Sequence, residues 1–94
     1  MLDAVSVDKL IRNKYGSDNI RVIMVDRAEV TVDFYKEKDA LDFYDNLQKL
    51  ENYINGLSLT CHRGFIHKYW RVKVIESRFR IYQKQEEEKW LRMK

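Results

Sequence analysis

The stretch LSLTCHRGFIHKYWRVKV, residues 57–74, decides the fold of this chain, because apolar and polar residues alternate on both sides of a central glycine. Such alternation is typical of two half-buried β-strands, and Gly64-Phe65 predicts a type II′ turn between them. The cross-strand pairs that follow are Leu59 with Trp70, Leu57 with Val72, and His62 with His67. We therefore predict an antiparallel hairpin.

The predicted hairpin has two faces of different chemistry, because successive side chains of a strand point to opposite sides. The apolar face carries Leu57, Leu59, Cys61, Trp70, Val72 and Val74, with Lys68 near the turn. The polar face carries Ser58, Thr60, His62, His67, Tyr69, Arg71 and Lys73. The separation of apolar from basic residues supports the hairpin assignment.

Residues 20–25 and 30–35 alternate in the same way and predict a second, earlier hairpin. A three-residue loop, Asp26-Arg27-Ala28, sets Arg21 opposite Asp33, which is a favourable charge pair. The same loop pairs Ile20 with Phe34, Val22 with Val32, and Met24 with Val30. A two-residue loop would set Arg21 against Phe34 and mix the faces, so we favour the longer loop.

Helical periodicity predicts one helix before each hairpin. In the first, Ser6 is the predicted N-cap and Gly16 the terminator. In the second, Glu37 and Asp39 lie at the positive end and Gly56 follows the last turn. The apolar stripe of this second helix is Ala40, Phe43, Tyr44, Leu47, Leu50 and Ile54.

The last stretch, residues 77–94, has two interpretations. A helix would align Phe79, Tyr82, Trp90 and Met93, whereas residues 78–82 also alternate like a strand. Residues 83–94 are rich in strong helix formers. We therefore predict a third helix.

The element order α-ββ-α-ββ-α predicts an α+β fold, in which two hairpins form a four-stranded, mainly antiparallel sheet with helices on one face. In this order the chain resembles homing endonucleases of the LAGLIDADG type. Their signature helix ends in a metal-binding acid, and the nearest piece here, Tyr15-Gly16-Ser17-Asp18, matches it trivially. The resemblance concerns topology, which does not imply function.

Size and cysteine content bound the class of protein. The 94 residues predict a single binding domain, residues 1–94, with one modest core. Cys61 is the single cysteine, so no intramolecular disulfide can form and a reducing compartment is expected. Residues 1–7 lack the features of a signal peptide, and no apolar run is long enough to span a membrane. We predict a cytoplasmic protein that does not bind membranes.

Basic residues are concentrated in the second half of the chain. Residues 1–56 carry a net charge of −3, and residues 57–94 carry a net charge of +6. Such asymmetry favours an acidic partner, either nucleic acid or a protein surface. The alternative is a solvated face whose charges keep the protein in solution.

The sequence contains no recognisable catalytic or cofactor-binding motif, so we predict no enzyme activity, no cofactor and no metal site. Cys61 and His62 are neighbours on a strand and point to opposite faces, which excludes a nucleophilic pair. We expect Cys61 to be a small buried apolar residue. His62 and His67 could share a zinc ion, but no third ligand lies near them in sequence.

The predicted binding surface combines tyrosine, histidine and basic side chains. Its residues are Arg21, Tyr35, His62, Arg63, His67, Lys68, Tyr69, Arg71, Lys73, Arg78 and Arg80. Rings beside cations suit single-stranded nucleic acid, although the RNP motifs of an RRM and the GXXG loop of a KH domain are absent.

Two functions are consistent with this surface. The first, which we favour, is a non-enzymatic inhibitor or accessory factor that docks on an acidic surface of a larger protein machine. Small proteins of this kind are frequent among phage and mobile-element products. The alternative is RNA or DNA binding through the basic, tyrosine-bearing sheet face and the second hairpin. The unpaired sheet edges leave a homo-oligomer open.

Overall fold

A computed structural model describes residues 2–50 and 55–92, apart from the side chains of Trp90 and Arg92. The elements in chain order are α1 (Ala4–Tyr15), a short 3-10 helix (Ser17–Asn19), β1 (Ile20–Val25), β2 (Glu29–Phe34), α2 (Glu37–Gln48), β3 (Leu57–Arg63), β4 (Lys68–Ile75) and α3 (Glu76–Arg92). The predicted α+β order is confirmed. Within the described ranges, no helix is both long and apolar enough to cross a bilayer.

The four strands form one antiparallel sheet in the order β1-β2-β4-β3. Each hairpin keeps its own pair of strands, and the pairing of β2 with β4 joins the two hairpins at the centre. The chain segment that contains α2 leads from β2, past β4, to the far edge of the sheet. Consequently β1 and β3 are the edge strands.

The helices cover one side of the sheet, which we call the helix face. Phe43 of α2 lies at the centre of this layer, with its ring centroid 5.6 Å from that of Phe34 and 5.3 Å from that of Tyr82. The fully or almost fully buried apolar residues are Val7, Ile11, Ile20, Val30, Val32, Phe34, Ala40, Phe43, Leu47, Val72, Val74, Phe79 and Tyr82. Aromatic contacts of this kind add to the free energy gained by burying apolar area.

The N-cap of α1 differs from the prediction. Asp3, not Ser6, is the cap: its carboxylate accepts hydrogen bonds from the backbone N–H of Val5 at 3.2 Å and from the hydroxyl of Ser6 at 2.7 Å. These bonds favour the ionised form and hold the pKa of Asp3 below its ordinary value. Gly16 ends the helix as predicted, with φ +92°.

Helix α2 is shorter than predicted. It ends at Gln48, and Leu50 packs against the core from the turn that follows. Ile54 lies outside the described residues. Gly56 does not cap the helix but leads into β3, where its carbonyl accepts a 2.9 Å hydrogen bond from the N–H of Ile75.

The last element is helical from Glu76 onward, which excludes the strand interpretation of residues 78–82. Phe79 and Tyr82 are buried on the same side, as predicted. The other two members of the predicted stripe, the Trp90 side chain and Met93, lie outside what the structure describes. Lys14 of α1 forms a 2.8 Å ion pair with Glu86, which ties α3 to α1.

The predicted register of the first hairpin is right at one end and wrong at the other. Ile20 pairs with Phe34 as predicted, but the remaining pairs are Val22 with Asp33, Ile23 with Val32, Met24 with Thr31, and Val25 with Val30. The shorter loop is therefore the real one. This loop contains no glycine, and the Asp26 carboxylate closes it by accepting hydrogen bonds from the N–H groups of Ala28 and Glu29.

A β-bulge between Ile20 and Val22 removes the objection to the shorter loop. The extra residue returns Ile20 to the helix face and leaves Arg21 on the opposite face, so apolar and charged residues do not mix. Ile23 and Val25, rather than Val22 and Met24, pack against the core.

In the second hairpin the predicted register is displaced by two residues. The observed pairs include Leu57 with Val74, Leu59 with Val72, Cys61 with Trp70, and His62 with Tyr69. His62 and His67 are therefore not cross-strand partners. Because two residues is one full period of a strand, the assignment of side chains to faces survives the displacement.

Gly64 has no positive φ, so the type II′ turn is wrong. Phe65 and Ile66 span the loop, and the Gly64 N–H donates to the His67 carbonyl at 2.9 Å. Glycine is required here for space, because a Cβ would lie 2.7 Å from that carbonyl oxygen.

Gly56→Ala is expected to lower the free energy of unfolding by about 1–3 kcal/mol, because φ is +74° and a Cβ would collide with the Ile75 side chain. Chemical denaturation followed by circular dichroism measures the change. Asn55→Ala, at an exposed neighbouring position, is the control and should shift stability by less than about 0.5 kcal/mol. Equal stability of the two variants would contradict the backbone conformation at Gly56.

Candidate macromolecule-binding surface

The side of the sheet opposite the helices is the open face, and five of the eleven predicted binding residues lie on its strands: Arg21, His62, Tyr69, Arg71 and Lys73. Its strands contribute Arg21, Val22, Met24, Thr31, Asp33, Ser58, Thr60, His62, Tyr69, Arg71 and Lys73. Strand β2 is buried on the open face too, because its residues Thr31 and Asp33 are buried. Arg21 and Arg71 reach Asp33 from the strands on either side of β2.

Asp33 is a fully buried carboxylate held by two arginines. Arg71 donates two hydrogen bonds to it, from Nε to Oδ1 at 2.9 Å and from Nη2 to Oδ2 at 3.1 Å. Arg21 donates a third, from Nη1 to Oδ2 at 2.9 Å, so the predicted contact between Arg21 and Asp33 is present. Hydrogen bonding to Asp33 raises the pKa of Arg71 above its ordinary value.

On the open face, the Tyr69 ring of β4 stacks with Arg21 of β1 and with His62 of β3. The guanidinium carbon of Arg21 lies 4.2 Å from the ring centroid, and the His62 ring stacks at 5.2 Å with an angle of 9° between the planes. Thr60 Oγ1 lies 2.8 Å from Nε2 of His62 and fixes that ring. Tyr69 is therefore already stacked and is not a bare platform for a base.

The charge of the open face is smaller than its count of cations suggests. Arg21 and Arg71 are both engaged by Asp33. Lys73 is exposed and forms no ion pair with the residues that the structure describes. Of the three cations that the sequence predicts for this face, Lys73 is thus the one that forms no ion pair within the described part of the chain.

The second hairpin ends in an exposed apolar tip flanked by basic residues, which we call the hairpin tip (residues 63–68). Phe65 is fully exposed and Ile66 is 78% exposed. Arg63 and Lys68 are exposed and form no ion pairs within the described ranges. The sequence predicts Phe65 in the turn, but its apolar exposure was not predicted. Two consecutive apolar residues between strands, Phe65 and Ile66, are the pattern that indicates it.

A groove of about 700 Å³ lies beside the hairpin tip. Its lining residues are Asp18, Tyr35, Ile66, His67, Lys68 and Trp70. Tyr35 is 40% exposed, and its ring meets that of His67 edge-on at 6.0 Å between centroids. The groove therefore offers aromatic walls together with one acid and one lysine.

Two predicted residues do not belong to either surface. Arg78 is buried in α3 on the helix side of the sheet. Arg80 is exposed on the same helix and forms an ion pair with Glu76, with Nη2 2.6 Å from Oε1. The predicted set thus separates into an open-face group, a hairpin-tip group, Tyr35 in the groove beside the tip, and these two helical residues, which lie after the sheet ends at Ile75.

The cysteine and histidines also differ from expectation. Cys61 is exposed, not buried, because it lies on edge strand β3. His62 stacks on Tyr69, while His67 lies against Tyr35, so the two imidazoles have separate environments. Among the described residues, no three His, Cys, Asp or Glu side chains come together as a set of metal ligands.

The fold and surface define a two-hairpin α+β protein. Ion pairs and ring stacking engage the central residues of its open face, and its hairpin tip is apolar and exposed. No family model, curated protein or solved structure was found to match the chain.

Asp33→Ala is expected to lower the free energy of unfolding by about 2–3 kcal/mol, because it leaves Arg21 and Arg71 without their shared anion. Both arginines retain contact with water, which limits the loss. Denaturant titration measures it, and Asp45→Ala on the exposed side of α2 is the control. If both variants were equally stable, the buried cluster would contribute nothing to folding.

Proposed function

We propose that this protein is a non-enzymatic binding module whose hairpin tip docks on an acidic surface of a larger protein, as an inhibitor or accessory factor. The observation that carries the proposal is the exposure of Phe65 and Ile66 at the end of the second hairpin. Neither side chain contributes to the core. Exposed aromatic and aliphatic residues with a basic rim resemble the anchors of protein interfaces.

The surroundings of the tip favour an acidic partner. Arg63 and Lys68 flank the two apolar residues, and their charges are not engaged by other described residues. Basic side chains at the rim of an interface that form no ion pair within their own protein accelerate association with an oppositely charged surface. The neighbouring groove can receive an apolar side chain of the partner between Tyr35 and Trp70.

A second candidate function is nucleic-acid binding on the open face. The observation that favours it is the combination of exposed Lys73 with Arg21 and Arg71, whose remaining N–H groups can meet phosphates. The stacked state of Tyr69 and the engagement of both arginines by Asp33 weigh against it. We therefore rank it below protein binding.

We also place the protein in the cytoplasm. The support is the exposed, single Cys61, since an unpaired surface thiol is best preserved in a reducing compartment.

The double variant Phe65→Ser/Ile66→Ser is expected to lose the protein partner, because it removes the apolar anchor without touching the core. The measurement is quantitative affinity capture from a nuclease-treated lysate of the source cells. Val5→Ser/Leu41→Ser is the matched control, since both residues are exposed on helices. Capture of the same proteins at the same level by both double variants would contradict the proposal.

Charge reversal tests the acidic character of the partner surface. Arg63→Glu/Lys68→Glu is expected to weaken capture, and the loss should shrink at higher salt because screening already reduces the attraction. Lys38→Glu, on the exposed surface of α2, is the control. An unchanged or stronger capture by the tip variant would overturn the assignment of an acidic surface.

Fluorescence anisotropy with mixed-sequence RNA and DNA at ~50 mM and ~200 mM salt tests the second function. The proposal of protein binding predicts that neither RNA nor DNA binds at the lower salt concentration. Were binding found, Lys73→Glu should weaken it and Lys38→Glu should not. Lys73 is chosen because Arg71→Glu would place a second carboxylate beside buried Asp33 and endanger the fold.

A further inference from the structure

Among the described residues, no strand pairs with the outer edge of β3. It runs from Leu57 to Arg63 in unbroken register with β4, and it contains neither lysine nor proline. Proteins normally blunt an exposed edge with a lysine, a proline, a bulge or a covering element. In the sheet formed by the described residues, β3 is the last strand and shows none of the first three devices.

The opposite edge, β1, is protected by one of these devices, a bulge, and it also carries a charge inside the strand. The bulge between Ile20 and Val22 interrupts its register, and Arg21 places a charge at that point. The contrast between the two edges is informative, because one chain protects one edge and leaves the other straight and uncharged over residues 57–62.

The backbone groups that β3 leaves free can be assigned. The N–H of Gly64 donates to His67, and the N–H of Ile75 donates to Gly56, so these two pairs are hydrogen-bonded. In an antiparallel ladder such pairs alternate, which directs the N–H and C=O of Ser58, Thr60 and His62 toward β4. The residues whose backbone groups point outward are Leu57, Leu59, Cys61 and Arg63.

We propose that β3 pairs antiparallel with β3 of a second copy of this chain, about a two-fold axis at Thr60, to form a continuous eight-stranded sheet. The expected pairs across the axis are Thr60 with Thr60, Leu59 with Cys61, Ser58 with His62, and Leu57 with Arg63. Outward N–H and C=O groups then meet each other at Leu59 and Cys61, and at Leu57 and Arg63.

The side chains of β3 match a second copy of themselves. Half-buried Leu59 meets exposed Cys61 on the helix face, which removes apolar area from water at both positions. On the open face Thr60 meets Thr60, a favourable cross-strand pair. Arg63 is the single charge of the strand and meets Leu57, so the pairing brings no like charges opposite each other.

The dimer is compatible with the proposed function but does not depend on it. An axis perpendicular to the sheet keeps the helices of both copies on the same side. The antiparallel arrangement directs the two hairpin tips to opposite ends, with the Phe65 positions roughly 33 Å apart along the strand direction. Each tip therefore stays free to bind, and loss of either property leaves the other measurable.

Sedimentation equilibrium of the full chain over a range of concentrations tests the dimer. We expect reversible, concentration-dependent dimerisation of the native chain. Cys61→Pro should weaken it roughly tenfold or more, because proline removes an outward N–H in each copy while the bonds to β4 remain. Cys61→Ala keeps that N–H and removes only part of the side chain, so it should weaken dimerisation much less than Cys61→Pro does. A monomer at all concentrations, or a dimer insensitive to Cys61→Pro, would overturn the proposal.

Disulfide formation tests the register without a proline. Thr60→Cys in a Cys61→Ala background should form an intermolecular disulfide, because a directly opposed, non-hydrogen-bonded pair has Cα atoms about 4.5 Å apart. Ser58→Cys in the same background is the control and should not cross-link, since its partner is His62. Efficient cross-linking of the control instead, or of neither variant, would overturn pairing about Thr60.

Discussion

The pairing of β2 with β4 is the constraint on which the rest of the structure depends. It joins two hairpins that would otherwise be separate two-stranded units, and isolated hairpins are marginal in water. On the helix face this pairing assembles the valines and Phe34 that bury Phe43. On the open face it places Asp33 directly opposite Arg71. A buried carboxylate without that partner would be strongly destabilising, so the charge pair also selects this register.

The same constraint determines which surfaces remain free to bind. Because Asp33 engages both arginines and Tyr69 is stacked, the centre of the open face serves mainly to complete the sheet. The second hairpin continues beyond β2, so its tip has no neighbouring strand to pack against. Binding is therefore expected at the hairpin tip and at the edge of β3, where polar and apolar groups are not already paired or packed within the described part of the sheet.

Much of the fold follows from the sequence because hydrophobic periods are local. The alternation in residues 57–74 predicts the correct faces even though the register was displaced, since a shift of two residues keeps every side chain on its side. The strand register of the two hairpins was harder to predict from the sequence, because it depends on turn geometry. Gly64 serves close backbone approach rather than a left-handed turn, and Asp26 closes a loop that contains no glycine. The positions of the candidate residues could be predicted only in part: the sequence groups Arg78 and Arg80 with the sheet, because charge clustering in sequence does not show where a helix begins.

The sequence by itself determined the order of elements, the described part of the core stripes of α2 and α3, and the division of β2, β3 and β4 into an apolar and a polar side. These properties depend on periods of two and of 3.6 residues, which a linear chain displays. Only the tertiary structure decided the bulge at Arg21, the burial of Asp33, the exposure of Cys61 and the isolation of Phe65 and Ile66 at the tip. Each of these depends on which strands become neighbours in space. That choice follows from the packing of the whole sheet against its helices, which no local pattern contains.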